Sequence, residues 1–587
     1  MEATDAFDTD VLVVGSGPAG GSAALLLATY GIRTLLVTKY GWLANTPRAH
    51  ITNQRTMEVL RDLGVDTEAA AAGSPAELMG DTVLCTALAG EEIGRIRSWG
   101  TGPYAATEYG AGSPVQMLDL PQTYLEPILV KNAAARGAKV RFDTEFLSLE
   151  QDDDSVTARL RDRLRGDEFT VRARYVIGAD GGRSSVAEQI GLPIAGQTGK
   201  AGSMNIVFKA DLSRYVAHRP SVLYWVMRPG AHMGGIGMGL VRMVRPWNEW
   251  LLVWGYDINQ PPPQVDDASA RAIVRDLVGA QDIPVEIVST SLWTVNHAYA
   301  TSYSSGRVFC AGDAVHRHPP SNGLGSNTSI QDSYNLAWKL AMVIRGEAGP
   351  ALLDTYTTER APVGQQIVDR ANLSRDQFGP IFQALGLNED SDEDGIASGL
   401  AACRSDAADG IKRRQALEDA IQLKNYEFNA HGVEMNHRYV STAVLQDAGS
   451  DDTYARDPEL FHQPTTRPGA KLPHAWLVNG TGHRLSTLDV VGKGMFTLVT
   501  GLSGGVWESA AAGCRDALGI PLNVVRIGAE NSRDAYGEWR RIAEMPEDGC
   551  LLVRPDGHIA WRCSTAPESG EAAQQELFKA LRSVLQR

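Results

Sequence analysis

The sequence predicts an α/β fold in which a parallel sheet carries glycine-rich turns at its strand ends, an antiparallel sheet is inserted into it, and a small α/β domain follows. Three observations predict it. Residues 11–14 are apolar and pass through a turn at 15–20 into an Ala/Leu-rich helix at 21–30; residues 34–37 read as a second buried strand, completing a β-turn-α-β unit. Two later apolar runs, 175–177 and 307–310, also end in Gly/Asp turns, Gly178-Ala179-Asp180-Gly181 and Ala311-Gly312-Asp313, the second before a helix beginning near Ser326. Between them, runs 205–208, 222–227 and 250–256 have the alternating or apolar texture of antiparallel strands.

A chain of 587 residues is too long for one hydrophobic core. Residues 1–202 and 292–365 form the domain with the glycine turns, and 203–291 are the inserted, substrate-facing sheet. Residues 366–440 are a helical linker region containing a solvated acidic loop at 388–394. In 441–587, strands near 496–499, 522–527 and 551–554 alternate with helices near 507–518 and 571–585, describing a separate domain.

Composition narrows the partners. The formal charge of -15 argues against a nucleic-acid surface, which needs clustered cations to displace phosphate counterions. The longest apolar stretch, 23–37, is broken by Thr29, Gly31, Arg33 and Thr34, so no membrane anchor is expected. The acidic first ten residues lack signal-peptide character, which points to the cytoplasm, and a homo-oligomer is expected. Six cysteines (Cys85, Cys310, Cys403, Cys514, Cys550, Cys563) have neither CxxC nor metal spacing and read as reduced thiols; no metal is expected.

Gly15-Ser16-Gly17-Pro18-Ala19-Gly20 has the spacing of a Rossmann-like strand-to-helix turn, in which backbone approaches a pyrophosphate and a helix N-terminus offers its N–H groups. Thr38, followed by Lys39, stands where an acid commonly binds the ribose hydroxyls. The turn alone therefore does not separate FAD from NAD. A Gly/Asp loop continuing through His316, His318, Pro319, Pro320, Asn322, Gly323, Gly325 and Asn327 into a helix suits the polar rim of a flavin, whose reduced ring develops negative charge. With one complete glycine fingerprint and no second, the bound dinucleotide is expected to be FAD, with NAD(P)H docking transiently.

Residues 13–20, 178–181 and 306–341 resemble the three fingerprints of the group A flavoprotein aromatic hydroxylases, and Pro47-Arg48-Ala49-His50, the stretches 51–64 and 119–127, and the C-terminal Arg-Pro-Gly and Arg-Pro-Asp-Gly segments resemble their phenol-hydroxylating branch. The resemblance covers nearly the whole chain. It implies an FAD-dependent monooxygenase that uses NAD(P)H and O₂ to hydroxylate a substituted phenol ortho to its hydroxyl, giving a catechol, and a thioredoxin-like C-terminal domain. Without CxxC, that domain is expected to be structural. Rival readings are a polyketide-tailoring hydroxylase acting on a polycyclic phenol and a flavin-binding regulator without turnover.

The same resemblance implies site residues. His50 is the base that deprotonates the phenol, a role suited to imidazole. Arg242 lies near the flavin ring, against the alternative of a solvated edge charge. Arg48 is a candidate contact to the flavin or the substrate, with a surface salt bridge the alternative; Gln122 contacts the flavin or its phosphate arm, Asp313 binds the ribityl chain, and Asp180 serves the pyrophosphate side or nicotinamide docking. Pro320, Gly323, Gly325 and Asn327 belong to the flavin loop, with His316 and His318 either competing as bases or holding it. Trp225, Met227, Met238, Trp254 and Pro320 are candidates for the substrate pocket, with core packing the alternative. The arginine that ends the second fingerprint in the family is missing, the stretch reading Ser184-Ser185-Val186-Ala187, so NADH and NADPH are not distinguished.

Overall fold

In a computed structural model, which describes residues 7–229, 238–388, 391–447 and 453–587, Thr9–Val14 is buried along its whole length. It pairs in parallel with Glu168–Gly178 on one side and Thr34–Val37 on the other; Val308–Cys310 and Lys139–Arg141 extend the sheet outward, also in parallel. Where both faces are covered, as along 11–14, 34–37, 175–178 and 308–310, such strands read as continuous apolar runs, which is why those stretches were legible. The register sets Val14 beside Gly178 and Gly178 beside Cys310, so the first glycine turn and the two Gly/Asp turns leave the sheet together at its carboxyl edge. Ala19, Ala179 and Ala311, one from each turn, pack into a single buried cluster.

The first helix, Pro18–Thr29, starts three residues before the Ala/Leu stretch because Pro18 at its first turn is already set for helical φ and has no N–H to satisfy. Two glycines are required at its entry. Gly15 has φ +106°, and a Cβ on Gly20 would lie 1.8 Å from the Gly15 carbonyl oxygen.

The antiparallel sheet has eight strands in the order His316–Arg317, Glu286–Ala300, Ile194–Lys209, Glu249–Tyr256, Gly239–Arg245, Leu223–Val226, Asp81–Cys85, Glu92–Arg97. It reaches beyond 203–291 in three ways, the first being its edge strand His316–Arg317. The hairpin of Asp81–Cys85 and Glu92–Arg97 joins through one parallel pairing with Leu223–Val226, and the two longest strands pair back to Ile194 and Ala300. Residues 366–440 are helical, but their apolar side chains, including Phe378, Ile381, Leu400, Leu417 and Ile421, pack into this sheet's core. Within the acidic segment, Asp392 caps the helix Glu393–Arg404 by accepting from the Gly395 N–H at 2.9 Å; residues 389 and 390 lie outside the described residues.

The C-terminal unit is a four-stranded sheet, Leu522–Arg526, Phe496–Thr500, Cys550–Val553, Ile559–Cys563, whose first pair is parallel and the rest antiparallel. Helices Val506–Leu518 and Gly570–Val584 share a core with it. No helix among the described residues is long and apolar enough to cross a membrane.

Candidate active site

The glycine turn is built to receive a pyrophosphate. Gly17 caps the Pro18–Thr29 helix with no side-chain hydrogen bond, so the N–H groups of the first turn are left for a ligand. Of the turn's glycines, Gly17 faces open space: an added Cβ would meet nothing nearer than Glu126 Oε1 at 3.8 Å. Glu126 was not anticipated. It accepts from the Ala44 N–H (2.7 Å) and from Gln122 Nε2 (2.6 Å), and burial raises its pKa. Gln122 thus sits beside the cradle, and its own N–H donates to the Ala49 carbonyl at 2.7 Å, tying it to the His50 segment. Arg48 is exposed, and its charge acts on Glu126. Thr38 is buried, with its N–H on the Arg141 carbonyl, and Lys39 is exposed beside it.

His50 leads into the two-residue strand Ile51–Thr52, which pairs with Leu118–Asp119. That pairing delivers a partner the sequence reading missed: Asp119 Oδ1 lies 2.8 Å from His50 Nδ1. Asp119 is fully buried, and its Oδ2 accepts from Ser74 Oγ at 3.1 Å. Its position at the head of the Asp119-Leu120-Pro121-Gln122 segment was the available signal. Burial and, after it, the Arg242 cation bring the His50 pKa down to about 4 against the opposing pull of Asp119. The imidazole is therefore neutral at neutral pH, with Nδ1 toward a carboxylate.

Arg242 is not an edge charge. It lies on an interior strand, 1% exposed, with Nη1 donating to the carbonyls of Pro47 and Arg48 (3.2 Å to the latter). Its Nε and Nη2 are buried with no hydrogen-bond partner, and burial lowers its pKa to about 10. Two orphaned cationic donors beside a neutral imidazole form a place for an oxyanion.

The third turn is held from behind. Asp332 is fully buried; Oδ2 accepts from the Gly312 N–H (3.1 Å) and faces His316 Nε2 (2.9 Å), while Oδ1 accepts from Arg360 Nε (2.8 Å). His316 therefore holds the loop. His318, whose pKa is brought to about 4 by burial and by His316, has Nδ1 on the Pro319 carbonyl at 2.6 Å. Asp313 projects exposed from the turn, as does Pro320 further along. Asn327 works as a clasp: Oδ1 accepts from the Asn53 N–H (3.0 Å), and Nδ2 donates to the carbonyls of Ile51 (2.8 Å) and Gly323 (2.6 Å). A Cβ on Gly323, which has φ +64°, would come within 3.0 Å of Ile51 Cβ, so this glycine serves close approach, whereas one on Gly325 would make only ordinary contact with His318 Nε2 at 3.6 Å.

Asp180 organises its own turn. Its carboxylate accepts from Ser184 Oγ (2.5 Å) and from the N–H groups of Ser185 (2.8 Å) and Val186 (3.3 Å), so it holds the turn into the Ser185–Gln189 helix.

Register sorts the pocket candidates. Trp225 pairs with Leu240 and Leu223 with Arg242, which puts Trp225 on the Arg242 face, its ring 4.5 Å from that of Phe378. Met227 and Met238, both buried, flank those strands at even spacing on the same side. Trp254 does not join them. Its neighbour Val253 pairs with Leu240, so alternation turns Trp254 to the opposite face, which corrects its assignment to the pocket.

Residues 8–371 match the FAD binding domain family and residues 465–587 the family "Aromatic-ring hydroxylase, C-terminal". The chain is 55% identical over 582 residues to the 2,4-dichlorophenol 6-monooxygenase of Cupriavidus pinatubonensis (strain JMP 134 / LMG 1197), covering 99% of this chain and 97% of that protein. It is 51% identical to the phenol 2-monooxygenase of Pseudomonas sp. (strain EST1001), covering 97% and 92%. Among solved structures, the flavin-dependent monooxygenase PieE in complex with FAD and substrate superposes with a TM-score of 0.93 at 45% identity, over 98% of this chain and 99% of that one. A glycine cradle open at Gly17, three turns converging at one sheet edge and this family match agree: the chain belongs to the group A flavoprotein aromatic hydroxylases and binds FAD.

Proposed function

We propose that the protein hydroxylates a substituted phenol ortho to its hydroxyl group, giving a catechol, with NAD(P)H and O₂ as co-substrates. The observation that carries this reading is the buried His50–Asp119 pair, with a neutral imidazole, facing the unpartnered donors of Arg242. The two relatives at 55% and 51% identity, both named for action on phenols, support the substrate class.

Bound FAD supplies the activated oxygen. The protein's task is to make the ring electron-rich by removing the phenol proton. A free phenol ionises near pH 10, about six powers of ten from the His50 pKa, which is a gap of roughly 8 kcal/mol. His50 alone therefore cannot ionise the substrate. Arg242 lowers that gap by stabilising the phenolate oxygen through Nε and Nη2; Asp119, whose stabilisation of the imidazolium at Nδ1 is already contained in the His50 value, keeps the gap from being wider while His50 Nε2 takes the proton. Trp225, Met227 and Met238 supply the apolar wall that excludes water from this exchange. Asp313 and the uncapped N–H groups after Gly17 hold the cofactor's ribityl and pyrophosphate parts. The C-terminal unit is read as thioredoxin-like on its sheet order.

The test is a panel of phenols scored with the holoenzyme for oxygen uptake and for product. Catechol formation coupled to NAD(P)H oxidation is expected. Oxidation unstimulated by any phenol, with no hydroxylated product, refutes the reading.

A further inference from the structure

The largest buried charge network among the described residues lies outside the His50 site, where the C-terminal domain meets the FAD domain. The turn Arg554-Pro555-Asp556-Gly557-His558, between strands Cys550–Val553 and Ile559–Cys563, is inserted there with Arg554, Asp556 and His558 all buried. Arg554 forms a two-pronged pair with Glu359, Nη1 to Oε1 at 2.6 Å and Nη2 to Oε2 at 2.9 Å. Lys339 Nζ (2.8 Å) and Ser441 Oγ (2.6 Å) also donate to Glu359. The adjacent Arg360 grips Asp332, which holds the Gly312 N–H and His316. On the other side of the turn, the Asp556 carbonyl accepts from Arg55 Nη2 at 2.8 Å, and the Pro555 carbonyl from Tyr334 Oη at 3.3 Å. Arg55 belongs to the helix Gln54–Asp62, whose cap Asn53 follows the His50 strand and is clasped by Asn327.

One turn thus touches the helices that lead from the third glycine turn and from the His50 strand. Buried ion networks rarely beat apolar packing for stability, and their best-attested use is to enforce one register. We propose that the Arg554–His558 turn is a positioning element that sets the flavin loop and the His50 strand relative to each other. Arg554, Asp556 and Glu359 act through Arg360, Asp332 and Arg55, and touch neither cofactor nor substrate. The planar fork of Arg554 is essential to this, because an ammonium cannot hold both Glu359 oxygens in one plane.

The experiment compares Arg554→Lys with Leu577→Ala, which truncates a fully buried side chain of the same domain's Gly570–Val584 helix without touching the turn. Each is assayed as holoenzyme below its melting transition for FAD dissociation constant, visible circular dichroism of the bound flavin, and the share of NAD(P)H oxidation that ends as hydrogen peroxide. Arg554→Lys is expected to weaken FAD at least about fivefold, alter the flavin dichroism and raise the peroxide share. Leu577→Ala is expected to lower the melting temperature and leave all three unchanged. Wild-type FAD affinity and dichroism in Arg554→Lys, or equal losses in both variants, overturns the proposal. Should Arg554→Lys fail to fold, Asp556→Asn, which keeps the backbone contact to Arg55, is judged by the same criteria. Only the peroxide readout rests on the function proposed above; the FAD measurements decide the inference even if no phenol is turned over.

Discussion

Asp119→Asn replaces the carboxylate 2.8 Å from His50 Nδ1 by an isosteric amide, in a site where Asp119 is fully buried and keeps Ser74 as its other partner. What is lost is the charge that stabilises imidazolium. A hydrogen bond to a charged group contributes about 1.5–3 kcal/mol, so proton removal from a neutral phenol should slow by about 10-fold to 150-fold where it limits the rate. The sign on the pH profile follows from the same charge. Asp119 raises the proton affinity of His50 against burial and Arg242, so its removal moves the His50 pKa below about 4. The acid limb of kcat/KM therefore shifts to lower pH while the plateau falls. The assay is kcat/KM from about pH 3 to 9, at matched FAD occupancy, for one phenol that is neutral and one already ionised at neutral pH. The ionised phenol should escape most of the loss. Equal losses for both phenols, or an acid limb that moves upward, would refute the proton-transfer role.

Arg242→Gln removes the cation that depresses His50, so the His50 pKa should climb from about 4 toward 6.5 and the acid limb of kcat/KM should rise with it; a profile that does not move counts against the coupling. Gly20→Ala places a Cβ 1.8 Å from the Gly15 oxygen, an overlap costing about 3 kcal/mol or more, and should abolish FAD retention, so a mutant purified fully yellow contradicts it. Asn327→Ala strips the Asn53 N–H and the carbonyls of Ile51 and Gly323 of a buried partner. At about 1–3 kcal/mol for an orphaned group, it should lower the melting temperature and speed FAD release, and unchanged melting would show that the clasp is redundant.

How much was legible depended on the range of the interaction. Gly15 and Gly20 announce themselves because the backbone at those points admits no side chain, and the three strands feeding the glycine turns are apolar over their last residues because both faces are covered there. His50 was readable from its motif, but Asp119 comes to it through a two-residue strand pairing too short to leave a periodic pattern. The hairpin 81–97 was missed for a related reason: it joins the antiparallel sheet through a parallel pairing with a strand far along the chain. Trp254 shows the limit of alternation, which sorts residues within one strand, whereas the register to Leu240 decides which set faces the site. Asp332 left a visible trace as an acid inside a fully buried helix, a position that demands partners; those partners, His316 and Arg360, are supplied only by tertiary packing.

The alanine cluster where the three turns meet has a consequence for the order of assembly. Ala19 leaves the ribosome early, Ala179 much later, and Ala311 only after the whole antiparallel sheet except its last short strand has been synthesised. A pyrophosphate cradle alone can be complete within the first forty residues, but the full flavin seat closes only when the most distant of these segments arrives. Contacts of such sequence separation make folding slow, and a ligand that binds the finished seat and not the open chain draws the equilibrium toward it. FAD supply during synthesis should accordingly govern how much of the protein reaches its native state.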